Sequence, residues 1–156
     1  MRVIYPGSFD PPTIGHVAIA RRAAALYEEV VVMVIGNPDK HAVLDVWARA
    51  ALLKKCLGEM PNLRVEIGER LLIDASRNAR ADAILRGLRS EGDYLAEKSV
   101  ADAFYKLYGL ETVFMQCSPE LSFVSSSMVR QLLRLGGDAD GLLPSEIEKE
   151  VKAAYR

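Results

Sequence analysis

Apolar positions along this chain fall into short β-branched runs separated by stretches of helical spacing. Val3-Ile4-Tyr5 forms the first run, and from Val17-Ala18-Ile19-Ala20 the apolar residues continue through Ala24 and Tyr27 with the period of a helix. Val30-Val31-Val32-Met33-Val34-Ile35 has no polar interruption, the pattern of a parallel strand covered on both faces. Gly36-Asn37-Pro38 ends it, and Asp45 is placed to cap a helix carrying Trp47, Ala51, Leu52 and Cys56. Leu63-Arg64-Val65-Glu66-Ile67 alternates instead, which predicts a strand with one wet face or an edge position. A short helix starts at Leu71-Leu72-Ile73-Asp74-Ala75, and Ala83-Ile84-Leu85 is the next strand. A helix from about Gly92 to Tyr108 follows, with Tyr94, Val100, Phe104 and Leu107 expected inside. Glu111-Thr112-Val113-Phe114-Met115 is the fifth strand. A helix then runs from the serines near Ser126 to the stop at Gly136-Gly137, and Pro144 restarts the chain into a terminal helix ending at Tyr155. This succession predicts a doubly wound α/β domain over residues 1–156. Its sheet is mainly parallel and five-stranded, with helices on both faces and a C-terminal helical extension.

Composition narrows the picture without redirecting it. A chain of 156 residues, half of them apolar, has the length for a real core. The formal net charge of −1 gives no global basic field, so nucleic acid is not an expected partner and local Lys and Arg must do any phosphate binding. Cys56 and Cys117 lie far apart without metal-ligand company, which speaks against a zinc site or a disulfide framework. The opening Met1-Arg2-Val3-Ile4 is already strand-like, and no apolar run approaches the ~18 residues of a membrane span. A soluble, cytoplasmic protein is expected.

Three clusters carry chemistry, and each sits at the carboxyl end of a predicted strand or at a helix start. The first is Tyr5-Pro6-Gly7-Ser8-Phe9-Asp10-Pro11-Pro12-Thr13-Ile14-Gly15-His16. On a strand-to-helix turn the free amides of the helix favour an anion, which points to phosphate. Gly7 allows close backbone approach, Ser8 brings a hydroxyl, Asp10-Pro11-Pro12 is turn chemistry and Thr13 can cap the helix. His16 in the first turn can face the phosphate. The helix end favours its neutral ring while a phosphate favours the cation, leaving both forms open. Lys40, past the end of the second strand, stands on the same rim as a point charge. The second cluster is Arg86-Gly87-Leu88-Arg89, two guanidiniums able to converge on one polyanion. The third is Val124-Ser125-Ser126-Ser127-Met128-Val129-Arg130, where hydroxyls, helix-start amides and an arginine one turn on meet the same kind of ligand.

These residues also carry a resemblance. Thr13-x-Gly15-His16 is similar to the (T/H)xGH signature of the nucleotidylyltransferases, and Tyr5 to Pro11 closely resembles the opening of the bacterial phosphopantetheine adenylyltransferases. Arg86 to Arg89 looks like the RGLR of that family, Val124 to Arg130 is similar to its ISSSxVR, and Gly136-Gly137-Asp138 with Pro144 matches its tail. The resemblance implies a Rossmann-like domain transferring AMP from Mg-ATP to 4′-phosphopantetheine, with dephospho-coenzyme A and pyrophosphate as products. It implies Mg2+ held mainly by the ATP phosphates, coenzyme A as a further ligand, and a homohexamer. His16, Lys40 and Arg89 would be catalytic. The same His16 and Arg89, with Ser8, Phe9, Gly87, Leu88, Glu97 and the run Leu121, Ser122, Phe123, Val124, Ser125, Ser126, Ser127, would bind ATP. Ser8, Lys40, Leu72 and Arg86 would bind the acceptor. The sequence departs from the family on the acceptor side: Leu72 stands where Met is common, Phe104 where Asn is typical and Ala96 where an aromatic is found, and the stretch after Lys40 is altered. Another phosphorylated acceptor such as nicotinamide mononucleotide, or a non-catalytic nucleotide-binding or coenzyme A-binding module, are the alternatives.

Overall fold

The computed structural model describes residues 1–36, 42–68 and 71–155. Its five strands are β1 (Arg2–Gly7), β2 (Glu29–Val34), β3 (Leu63–Ile67), β4 (Ala83–Leu88) and β5 (Glu111–Gln116). They form one sheet in the order β3-β2-β1-β4-β5, with every pairing parallel. The helices are α1 (Ile14–Leu26), α2 (Val46–Leu57), α3 (Leu72–Asn78), α4 (Glu91–Tyr108), α5 (Ser126–Arg134) and α6 (Glu148–Tyr155). This is the expected Rossmann-like arrangement, including the C-terminal helix. The alternating Leu63–Ile67 segment is indeed an edge strand.

Strand residues divide between two apolar layers with period two. Val3, Tyr5, Val30, Val32, Val34, Ala83 and Leu85 pack with α1, α2, α5 and α6. Ile4, Val31, Met33 and Ile84 face the other way, onto Ile73 and Ala75 of α3 and onto Leu110, with Phe104 of α4 seated against them. The second layer is much the thinner.

That thinness corrects one expectation. Tyr94, Val100 and Leu107 are not core positions, since α4 buries no residue fully and Leu107 is 67% exposed, while Phe104 is half-buried against the thin layer. Helical spacing of apolar residues reports burial only where a further layer covers the helix, and the described residues provide none over α4. Tyr94 instead stands edge-on to Phe114 at 5.4 Å. Trp47 and Ala51 of α2 likewise face outward, Trp47 at 73% exposure, while Leu52, Leu53 and Cys56 face the sheet.

The topology also makes a crevice. β1 and β4 pair only at Val3↔Ala83 and Ile4↔Ile84, although they continue to Gly7 and Leu88 respectively. Beyond those pairs the strands part, at the point where the order of connection reverses. In an open parallel sheet this is where a ligand is received.

Candidate active site

The turn between β1 and α1 is built around a buried aromatic ring. Phe9 has φ +50, an uncommon conformation for a residue with a side chain, and its ring folds back over Gly7. It stands edge-on to Tyr5 at 5.5 Å and to His16 at 5.0 Å. A Cβ on Gly7 would lie 2.8 Å from Phe9 Cζ, so the glycine makes room for this ring. Gly7→Ala should therefore destabilise the fold by about 1–3 kcal/mol, the usual cost of overpacking. A urea titration measures it, and an unchanged midpoint would show that the ring can move aside. Gly15 differs: an added Cβ would meet only Thr13 Oγ1, at 3.6 Å, so nothing within the fold demands a glycine there.

Thr13 caps α1, its Oγ1 accepting from the His16 N–H at 3.5 Å. In return the Thr13 N–H donates to His16 Nδ1 at 3.1 Å. A backbone N–H can only donate, so Nδ1 is the acceptor and the ring proton sits on Nε2. Desolvation, reinforced by the nearby Arg89 charge, lowers the His16 pKa to about 4. Both observations favour the neutral imidazole of the two forms left open by the sequence, with one N–H to offer.

Arg86 of β4 and Arg89, just past its end, are both braced by α4. Arg89 makes a two-point contact with Asp93, Nε to Oδ2 at 2.9 Å and a terminal nitrogen to Oδ1 at 3.1 Å, while its own backbone N–H donates to Oδ2 at 3.0 Å. These bonds hold the Asp93 carboxyl below its usual range and raise Arg89. Arg86 pairs with Glu97 at 3.1 Å, one helical turn further along α4. The guanidiniums are thus pre-aimed, with nitrogens left over for an anion.

On the other flank, α5 begins with Ser125 as its cap, its hydroxyl accepting from the Met128 N–H at 3.1 Å. Ser126 donates to the Pro11 carbonyl at 2.8 Å, and Arg130 donates to the Asp10 carbonyl and, at 3.3 Å, to Ser127. The starts of α1 and α5 are thereby tied side by side, although the first amides of α1 are largely engaged, Ile14 N–H with the Leu142 carbonyl at 3.1 Å and those of Thr13 and His16 with each other's side chains. The Asp10-Pro11 peptide within the tie is cis.

A cavity of about 670 Å³ lies between these elements. Of the residues expected from sequence, it brings together Ser8, Phe9, His16, Arg86, Gly87, Arg89 and Glu97 with Leu121, Val124, Ser125, Ser126 and Ser127. Leu88, Ser122, Phe123 and Leu72 are not on its wall. Ser122 and Phe123 are exposed beside it, Ser122 bonded to the Pro119 carbonyl at 2.9 Å, and Leu72 packs against the thin apolar layer. Lys40 lies outside the described residues. Cys56 and Cys117 are buried free thiols, and burial pushes Cys56 up to about 12, which leaves it protonated and inert.

Three residues that hold the site were given no role in it from sequence, Asp10 being read only as turn chemistry. Arg49, only 3% exposed, donates to the carbonyls of Leu44 at 3.0 Å, Ile35 at 3.4 Å and Ser8. Asp10 accepts from the Val43 and Leu44 amides at 3.2 and 3.4 Å, and the Tyr155 hydroxyl also donates to it. Arg49 had a signal, since it shares a helical face with Leu53 and Cys56. Asp10 and Tyr155 had none, because only the fold joins them.

Comparison with known proteins agrees with this geometry. A crystal structure of a lipopolysaccharide core biosynthesis protein from Thermoplasma volcanium GSS1 is 24% identical with a TM-score of 0.56, covering 76% of this chain and 96% of that one. A putative nicotinate-nucleotide adenylyltransferase from Vibrio parahaemolyticus is 18% identical with a TM-score of 0.65, covering 99% and 94%. At these identities the likeness is one of fold. Residues 4–132 match the family described as cytidylyltransferase-like, which takes in the β1–α1 turn, Arg86, Arg89 and the serine run of α5; the chain belongs to that family of nucleotidyltransferases.

Proposed function

We propose that the protein transfers AMP from Mg-ATP to 4′-phosphopantetheine in the cytoplasm, releasing pyrophosphate and dephospho-coenzyme A. The observation that carries the transferase half is the fixed tautomer of His16, whose Nε2–H belongs to a cavity shared with Arg89 and two helix starts. Each is a donor set in place before the substrate arrives, which is how a site stabilises a phosphoryl group as charge spreads over its oxygens. The acceptor half rests on the longer resemblance of Tyr5 to Pro11, Arg86 to Arg89 and Val124 to Arg130 to the phosphopantetheine adenylyltransferases.

In this reading an oxygen of the acceptor's phosphate attacks the α-phosphorus of ATP, and the bond from that phosphorus to the bridging oxygen breaks as pyrophosphate leaves. No enzyme nucleophile takes part. His16 Nε2–H donates to a non-bridging α-phosphate oxygen, Arg89 and the amides of α5 hold the departing phosphates, and Arg86 with Lys40 holds the acceptor phosphate. Leu72 would touch the acceptor and Glu97 the nucleotide. Mg2+ supplies charge neutralisation along the triphosphate. Asp10, Asp93 and Glu97 are already engaged with protein donors, which suits an ion carried in on ATP. Outside the cavity, Asp138, Asp140 and Glu148 stand close enough to share a cation, but Lys152 Nζ already fills their centre at 2.5–2.6 Å. A homohexamer, proposed with this function, would give the exposed apolar side chains of α4 a cover.

A second acceptor is kept in view by one observation: Phe104 lies against the apolar layer where the resemblance expects an Asn to bond the pantetheine arm. Purified protein with Mg-ATP is offered 4′-phosphopantetheine and nicotinamide mononucleotide in turn, and pyrophosphate is followed. Release with the first alone is expected. Release with the second alone transfers the assignment to that acceptor, and ATP binding without release from either reduces the protein to a nucleotide-binding module.

A further inference from the structure

Asp10 is a carboxylate at 5% exposure, and a charge so placed persists only with donors around it. Its donors come from far apart in the chain. The Val43 and Leu44 amides reach it from the segment before α2, Arg130 of α5 stands 4.0 Å from Oδ2, and the hydroxyl of Tyr155 in α6 donates to Oδ1. The backbone carbonyls of Asp10 and Pro11 are meanwhile the points to which Arg130 and Ser126 fasten α5. One carboxylate therefore relates the β1–α1 turn, the rim before α2, and both C-terminal helices.

We propose that Tyr155 is a positioning residue for the transfer reaction, acting through Asp10 on the cavity wall. Its ring belongs to the main apolar layer, so its place is set by packing, and burial with the Asp10 contact keeps its hydroxyl protonated and donating. With Oδ1 anchored, Oδ2 is presented to the Val43 amide. Leu44 is then held from both sides, its N–H by Asp10 and its carbonyl by Arg49. Ala42, which lines the cavity, is next to this pinned pair. Because β2 and β4 flank β1 on opposite sides, this rim faces the cavity from the side away from Arg86 and Arg89. Loss of the hydroxyl leaves the ring packed and frees the carboxylate to turn, which loosens the rim without touching any group that meets substrate.

The proposal rests on the transferase reading for its kinetic arm, but not for its structural one. Tyr155→Phe is compared with the parent protein by amide hydrogen exchange without ligand, by ATP titration and by pyrophosphate release. Exchange at Val43 and Leu44 should quicken about tenfold or more while α5 and α6 stay as protected as before, a factor typical of one lost buried hydrogen bond. Turnover should fall about tenfold with ATP affinity changed less than twofold, the split expected of misplacement rather than lost binding. Unchanged exchange at Val43 and Leu44 overturns the proposal whatever the kinetics show. So does a uniform quickening through α5 and α6, which would make the hydroxyl a matter of core stability alone. Local quickening in a protein that turns over neither acceptor removes the catalytic meaning together with the transferase reading, so the two failures are told apart.

Discussion

Replacing His16 with Ala should lower pyrophosphate release by about 10²–10³ while ATP affinity changes only a few-fold, the loss typical of one donor aimed at a developing oxyanion. The asymmetry follows from the geometry. In the proposed reaction ground-state ATP would also be held by Arg89 and the amides of α5, so one N–H would contribute little to binding. As the α-phosphorus becomes five-coordinate its oxygens gain charge, and a donor already fixed by Thr13 needs no reorganisation to meet it. His16→Asn separates shape from chemistry, since an amide N–H near the same place restores part of the rate. The same residue gives a pH signature. With its folded pKa lowered to about 4 from an ordinary 6.5, the folded protein refuses a proton that the unfolded chain accepts. Above pH 6.5 the contribution of this group to stability is whole, and it is lost as pH falls from 6.5 towards 4. Denaturant midpoints recorded across that window should fall more steeply for the parent than for His16→Asn. Parallel slopes, or an imidazole titrating near 6.5, would show that the ring is not held in its neutral form.

Much of this architecture could be read in advance because its signals are local. The strands of the parallel sheet are β-branched runs with glycine or proline near their ends, and the caps Thr13, Asp45 and Ser125 are short-range chemistry. The site was legible for the same reason. In this fold the chemistry collects at strand carboxyl ends and helix starts, so clusters remote in sequence could be assigned to one rim before their distances were known. What escaped depended on contacts with no local trace. Asp10 looks like any turn aspartate, yet its partner Tyr155 is 145 residues away. The carboxylates bracing Arg86 and Arg89 belong to a helix whose apolar spacing suggested burial, whereas its described side chains make contact mainly through Asp93, Glu97, Tyr94 and Phe104. The second demand on Gly7 could not be seen because the ring occupying its space is two residues on and reaches it through the positive φ of Phe9.

Arg49→Met should be the most destabilising of these substitutions, by about 3–5 kcal/mol, since it removes a buried cation on which several groups depend. Methionine fills a similar length of apolar space, so the change is not chiefly one of volume. The half-buried carbonyls of Ser8, Ile35 and Leu44 lose their guanidinium donor, and each left without one costs up to about 1–3 kcal/mol. Water entering the rim offsets part of that sum. The three carbonyls lie just past the ends of β1 and β2 and in the segment before α2, so the loss is shared by the walls of the cavity rather than confined to α2. Arg49→Lys should fall between the two, because an ammonium can satisfy some of these carbonyls but lacks the planar spread that reaches all three. Urea unfolding measures the series. If Arg49→Met cost under 1 kcal/mol at an unchanged denaturant slope, water would be holding those carbonyls as well as the guanidinium does, and the rim's order would have to come from Asp10 alone.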